Sequence, residues 1–423
     1  MPLTYGELRD AVAGDVVGVR SRNVLEPLGG ASDKVFPPTY SVPDSAETRY
    51  AIESRRVSGN GASGEVVQSV VLDSVASQAN RFELALLNTI RSDDVPVPVT
   101  SVDFRPISDL AGLERISDYE ASHRIFDALL RDSYDGDQLF RYGPAGRAVT
   151  KARPGDAAGL YHHSPHTLVF GGWDPTGPRG GLGAKYERAI TSEIVAMDVT
   201  PGVKTSSRID LTGIERNAGP LYEAPGETWT LDVSEAVRDD KNKPKLLGAG
   251  KPGEPGRPSQ ANLGNIVPSI DRKAGGVTAK EIIGTTVLSF IQLRRLRFPT
   301  SPDGSLIEDR RRDAAEAAAR TALAALGLAA AALAFEEGFD LRSRCVLVTS
   351  GPSIFEAISR NGGISRFELS AADAIKLIAE AADQASAAGM PWRSGELLLR
   401  PSDRLVTLIR RSHDLVAQGE EVG

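Results

Sequence analysis

From Asp309 to Glu337 the chain runs through 29 residues dominated by alanine, the strongest helix former, and stops at Gly338. The composition predicts one long helix, with Gly338 as its C-cap. Within it, residues 314–334 form the most apolar stretch of the chain, but Glu316 and Arg320 interrupt them. Two charges and so much alanine favour a helix buried in a protein core over a membrane span. Any fold for this chain has to be built around that helix.

The remaining periodicities mix strands with helices. Residues 15–22, 50–57, 97–104, 188–199 and 345–350 alternate or concentrate β-branched side chains and read as strands. So does the short apolar run 167–171. Residues 66–90 carry Leu72, Val75, Ala79, Phe82, Leu86 and Ile90 at spacings of three and four, which predicts a helix with one apolar stripe. Residues 121–133 read as a short helix and 371–388 as a longer one. The order of strand, long helix, strands, long helix, strand predicts an α+β fold, with an RRM-like (ferredoxin-like) core carrying large insertions. The expectation is a single elaborated domain over 1–423. Residues 239–262, rich in Lys, Gly and Pro, form a flexible exposed inserted loop within it. Asn262 to Pro268 reads as a structured turn.

Several chemistries lack their residues. One cysteine, Cys345, excludes a disulfide framework, and its apolar strand suits an inert thiol. The first residues lack the apolar run of a signal peptide, so the cytoplasm is the expected compartment. There is no G-x-S-x-G, and the glycines near residue 180 match neither the Walker nor the Rossmann spacing. His162, His163 and His166 are the one candidate metal cluster, without the Glu of H-E-x-x-H. Pro165 argues against one continuous helix through them, so an extended segment with hydrogen-bonded histidines is expected. A metal-dependent hydrolase or nuclease using these three residues is the alternative reading of the chain.

What does stand out is basic and glycine-rich. Six glycines fall within residues 171–183, followed by Lys185 and Arg188. Bare backbone N–H groups beside Arg179, Lys185 and Arg188 suit a polyanion. The net charge is −7, yet residues 238–300 hold twelve Lys/Arg against five Asp/Glu, so the middle of the chain is basic and its ends acidic. Ser74, Gln78, Arg81 and Asn88 form a polar row opposite the apolar stripe, with group types that suit phosphate, sugar and base edges. Three arginines crowd into Q-L-R-R-L-R-F (292–298).

Seven segments together resemble one known family. They are V-F-P-P-T-Y (35–40), L-D-S-V-A-S-Q-A-N-R-F-E (72–83), H-R-I-F-D-A-L-L-R-D-S (123–133), T-L-V-F-G-G-W-D (167–174), G-G-L-G-A-K-Y-E-R-A-I-T-S-E-I (180–194), G-N-I-V-P-S (264–269) and L-S-F-I-Q-L-R-R-L-R-F (288–298). The chain resembles, over about residues 35–300, the RAMP-superfamily, Cas-seven-type backbone subunit of type I-G (formerly I-U) CRISPR Cascade complexes. The resemblance implies an RRM-like palm and a noncatalytic role without cofactor or metal. Copies would assemble head to tail along CRISPR RNA and display it to target DNA, beside a large subunit and a fused Cas-five/Cas-six-type subunit, with no membrane partner. Open heterologous contacts generate such filaments, and pairing of the acidic and basic regions would join neighbouring copies. Within the matching motifs, the expected RNA-binding residues are Asn80, Arg81, His123, Arg124, Arg179, Lys185, Arg188, Arg294 and Arg295. No aspartate stands out as a nuclease residue.

Overall fold

A computed structural model describes residues 3–57, 65–93, 95–177, 183–251 and 253–417. Nine strands make the main sheet: β1 (Val16–Pro27), β2 (Ile52–Val57), β3 (Glu65–Asp73), β4 (Ile190–Pro201), β5 (Val277–Ser289), β6 (Phe339–Arg342), β7 (Cys345–Thr349), β8 (Ile354–Ser359) and β9 (Ile364–Glu368). Their order is β6-β7-β1-β5-β4-β3-β2, with β8 paired to β1 and β9 to β8. On one edge β1 runs antiparallel to β5, from Gly18 opposite Ser289 to Leu25 opposite Ile282. Its other edge is divided, Leu25–Pro27 pairing with β7 and Val16–Ser21 with β8, both antiparallel. Val19, Ser21, Asn23 and Leu25 of β1 are buried while Arg22 and Val24 are exposed, the period-two pattern of a sheet with one covered face.

Three long helices complete this architecture: α1 (Val75–Asp93), α2 (Asp309–Glu337) and α3 (Ala371–Ala387). The alanine-rich helix α2 keeps the bounds read from the sequence and is the centre of the core, packed against both α1 and α3. From Leu323 to Ala331 every residue is buried, so the helix is apolar all round because it is covered all round. Phe335 meets Phe82 of α1 edge-on with centroids 6.2 Å apart. Small residues set the sheet-to-helix spacing: a Cβ on Gly327 would sit 3.2 Å from Leu288, and one on Gly284 would sit 3.0 Å from the Phe335 ring.

The fold is therefore mixed α/β with antiparallel sheets. A second sheet of five short strands joins Arg115–Ser117, Val99–Asp103, Glu396–Pro401, Ser133–Asp135 and Gln138–Leu139, and holds one parallel pair, Glu396–Pro401 with Val99–Asp103.

The described chain packs as two compact units. One comprises residues 1–38, 52–199 and 279–423; the other comprises 39–51 and 200–278. In the second unit, Lys204–Arg208 pairs with Ile266–Asp271, and Tyr222–Ala224 with Glu227–Thr230. The Lys/Gly/Pro-rich residues 239–262 belong to this unit. Among those described, they contain no strand or α-helix but are tied by backbone bonds such as Leu247 N–H to Leu221 (2.9 Å) and Gly256 N–H to Leu247 (2.8 Å). Asn262 and Gly264 both take positive φ in the turn expected there.

Three local expectations need correcting. Residues 66–90 are not one helix: β3 occupies Glu65–Asp73, where Val66, Val67, Val70 and Val71 favour an extended backbone, and Ser74 Oγ then accepts from Ser77 N–H at the helix entry. Residues 167–171 are not a strand. Pro165 takes the first helical position, its fixed φ starting the turn Pro165–Phe170. Residues 121–133 break into a 3-10 turn, Arg124–Phe126, and a single α turn, Ala128–Arg131, capped by Asp127.

Candidate nucleic-acid interface

After Phe170 the chain leaves its helix through Gly171, at φ +86°, where a Cβ would lie 2.8 Å from the Arg188 side chain. It then forms a two-stranded ribbon in which Gly172 faces Tyr186 and Trp173 faces Lys185. Opposed residues share a face, and successive ones alternate. Tyr186 accordingly turns inward, 4% exposed, its ring parallel to Phe126. Gly172 also faces the core, since a Cβ there would be 2.5 Å from Thr167 Cγ2. Trp173 and Lys185 turn outward, with Trp173 47% exposed.

This ribbon walls an open cleft that also takes in Ser122, His123, Arg124, Phe170, Gly171, Glu187, Arg188 and Thr191. His123, Lys185 and Arg188 are exposed along it. Arg188 Nε donates to the Phe170 carbonyl (3.2 Å), which fixes the base of its side chain beside the ribbon. Beyond Glu187 the surface continues into a second hollow lined by Lys185, Tyr186, Gln292 and Arg295. There Arg295 reaches Glu187 at 3.0 Å, both side chains being well exposed. A surface pair of this kind is weak enough to yield to a polyanion.

Beneath the cleft lies a buried polar cluster. Arg124 Nε and Nη2 donate to the two Glu83 oxygens at 2.6 and 2.7 Å, and Nη1 donates to the Gly171 carbonyl at 3.0 Å. Burial pushes the Glu83 carboxyl up to about 7 against the pull of Arg124. Asp118, fully enclosed, accepts from Thr100 N–H (3.0 Å) and Ser164 Oγ (3.0 Å), and burial lifts it to about 7 as well. His166 stacks on Tyr119 with centroids 3.8 Å apart, and burial holds its ring nitrogen far below the usual histidine range.

The expected RNA-binding residues thus divide. His123, Arg124, Lys185, Arg188 and Arg295 come together along the cleft and its extension. Arg124 belongs to the floor, with its head group occupied by protein. Arg81 and Arg294 lie elsewhere. Arg81 is held by Asp73 (3.0 Å) and the carbonyls of Asp340 and Leu341, and Arg294 by the carbonyls of Ala11, Val12, Gly14 and Val16. Asn80 is exposed on α1 outside the cleft. Arg179 lies outside the described residues. From the polar row, Gln78 is buried, bonded to Asp73 (2.7 Å) and Ser192 (3.0 Å).

The histidine segment is helical on both sides of Ser164 rather than extended, because Pro165 begins a new helix. His162 Nδ1 donates to the Pro391 carbonyl (2.8 Å) and its ring meets His163 edge-on, while His166 points into the buried cluster. Burial drops His163 to about 3. Among the described residues no group of three or more His, Cys, Asp or Glu side chains is placed to hold a metal ion. Two residues of the site went unnoticed in the sequence. Trp173 had its signal in the glycines before it. Glu83 had one in its position, four residues after Ala79 on the apolar stripe.

These features define an α+β protein with an open, cation-lined cleft edged by one tryptophan. Residues 19–201, which carry that cleft apart from its Arg295 extension, match the family model described as CRISPR-associated protein GSU0053. The match supports a CRISPR-associated protein with a role, and partners, within a CRISPR system. No curated protein matches the chain.

Proposed function

We propose that the protein is the noncatalytic backbone subunit of a type I-G Cascade complex, an RRM-like RAMP palm that oligomerises head to tail along CRISPR RNA in the cytoplasm and presents it to target DNA. The large subunit and the fused Cas-five/Cas-six-type subunit would be its further partners. The path β1, α1, β4, β5, α2, β7 supports the palm: it is a β-α-β-β-α-β alternation with spatial order β7-β1-β5-β4. The observation that carries the reading is the convergence of His123, Lys185, Arg188 and Arg295 on one open surface within or beside the family match. An open cleft lined by cations suits a continuous strand held by its phosphates.

Expression with a CRISPR array and the partner subunits tests this directly. The expected product is RNA of uniform length carrying several copies of the chain, released by salt. Replacing Lys185 and Arg188 by alanine should weaken RNA binding and flatten its salt dependence by roughly 0.7 in log–log slope for each phosphate no longer neutralised. Protein that emerges free of nucleic acid, with a metal-dependent activity abolished by changing His162, His163 and His166, would overturn the proposal.

A further inference from the structure

We propose that Trp173 is a stacking platform for one unpaired nucleobase of a bound single strand, with Lys185 on the adjoining phosphate. This rests on the RNA-binding reading and adds to it a contact with a base, where that reading needs only the sugar–phosphate chain. Three observations carry it.

The first is register. Trp173 is exposed because the ribbon commits its inward positions to Gly172 and Tyr186, so the indole has no route to the core. The second is company. Lys185 stands directly opposite on the same face, and His123 and Arg188 line the same cleft. An indole beside cations offers both halves of a nucleotide a partner, since every base has a π-face and every phosphate a charge.

The third is stiffness. The Gly171 carbonyl is held by Arg124 and the Phe170 carbonyl by Arg188, so the two residues leading into the ribbon are pinned. A ribbon whose entry is already fixed loses less backbone freedom on binding. Because stacking reads a ring and not its edges, the platform takes any base and fits a guide of arbitrary sequence.

The test uses the full-length protein with a single-stranded RNA oligonucleotide carrying 2-aminopurine and an abasic oligonucleotide of equal length, each titrated at several salt concentrations. W173A should bind the RNA about 5- to 150-fold more weakly at unchanged salt slope, whereas K185A should lower the slope by roughly 0.7. The W173A loss should vanish on the abasic strand, W173F should recover most of the affinity, and 2-aminopurine quenching should fall with W173A. Circular dichroism of W173A and W173F establishes that both are folded. If the wild type binds RNA but W173A binds equally well, or loses as much on the abasic strand, the base platform is wrong while the RNA-binding reading survives; a tryptophan anchoring a protein partner would give the first of these results. If the wild type binds neither oligonucleotide, both readings fall.

Discussion

Replacing Arg124 by methionine should destabilise the protein at pH 8 far more than replacing both members of its ion pair. The substitution leaves the Glu83 carboxyl, 1% exposed, without a counter-charge. Opposite charges about 4 Å apart at an effective dielectric near 20 attract by about 4 kcal/mol, and breaking buried pairs costs about 3–5 kcal/mol. R124M should therefore lose about 4 kcal/mol at pH 8, whereas E83Q, neutral like the protonated carboxyl, should lose far less. R124M should lose less at low pH, because burial already lifts Glu83 to about 7 and the lone carboxyl can take up a proton. Its folded-state value then lies still higher, so R124M should be more stable at pH 6 than at pH 8, relative to wild type. The double variant E83Q/R124M removes both charges and retains a loss of about 1–3 kcal/mol, for the Gly171 carbonyl left without a donor. Urea unfolding followed through Trp392, which is buried in the same unit, in a W173F/W229F background, measures all three. Additive single losses, or an R124M cost at pH 8 below about 1 kcal/mol, would refute the assignment of this pair as the mount of the cleft wall.

Other substitutions report on neighbouring parts of the molecule. G172A places a methyl group 2.5 Å from Thr167 Cγ2 and should cost about 1–3 kcal/mol; adding T167S, which deletes that methyl, should recover part of the loss, and no recovery would contradict the packing described. F335A empties the junction of Phe82, Phe339 and Gly284 and should cost about 3–5 kcal/mol by denaturant midpoint. Asp118, raised by burial to about 7, stabilises the fold fully only below its unfolded value near 4, and that contribution is lost as pH rises through 7. D118N does not ionise, so its stability relative to wild type should climb by about 1.4 kcal/mol per pH unit across that window, up to about 4 in all. Parallel pH curves for the two proteins would refute the shift.

The legible parts of the chain were those with one dominant local cause. Alanine over 309–337 and the glycine behind it left a single solution. The strand patterns gave β2 and β4 to within two residues and the start of β1, which runs on to Pro27. Residues 66–90 misled because Leu72 extends the stripe of α1 backwards into β3, and a helical period continues across a boundary that only the run of valines betrays. At 167–171 the apolar composition suited either state, and Pro165 decided it. For the cleft, side-chain chemistry was readable but occupancy was not. Arg81 and Arg294 look as available as Lys185 in sequence, yet their carbonyl partners lie 259–260 and 278–283 residues away. Only chain closure shows that such arginines are spent on the fold.

The divided edge of β1 has a consequence for how the protein is made. Ser21 bonds to the Ile354 carbonyl, 333 residues downstream, and at ~5–20 residues per second that partner is synthesised roughly 15–70 s later. Until β5 is made β1 has neither of its lateral neighbours, and until β8 follows part of its other edge stays open. A nascent strand with two open edges is an invitation to pair with another chain. The polysome is where copies of the chain first meet, and the danger there is premature pairing through β1.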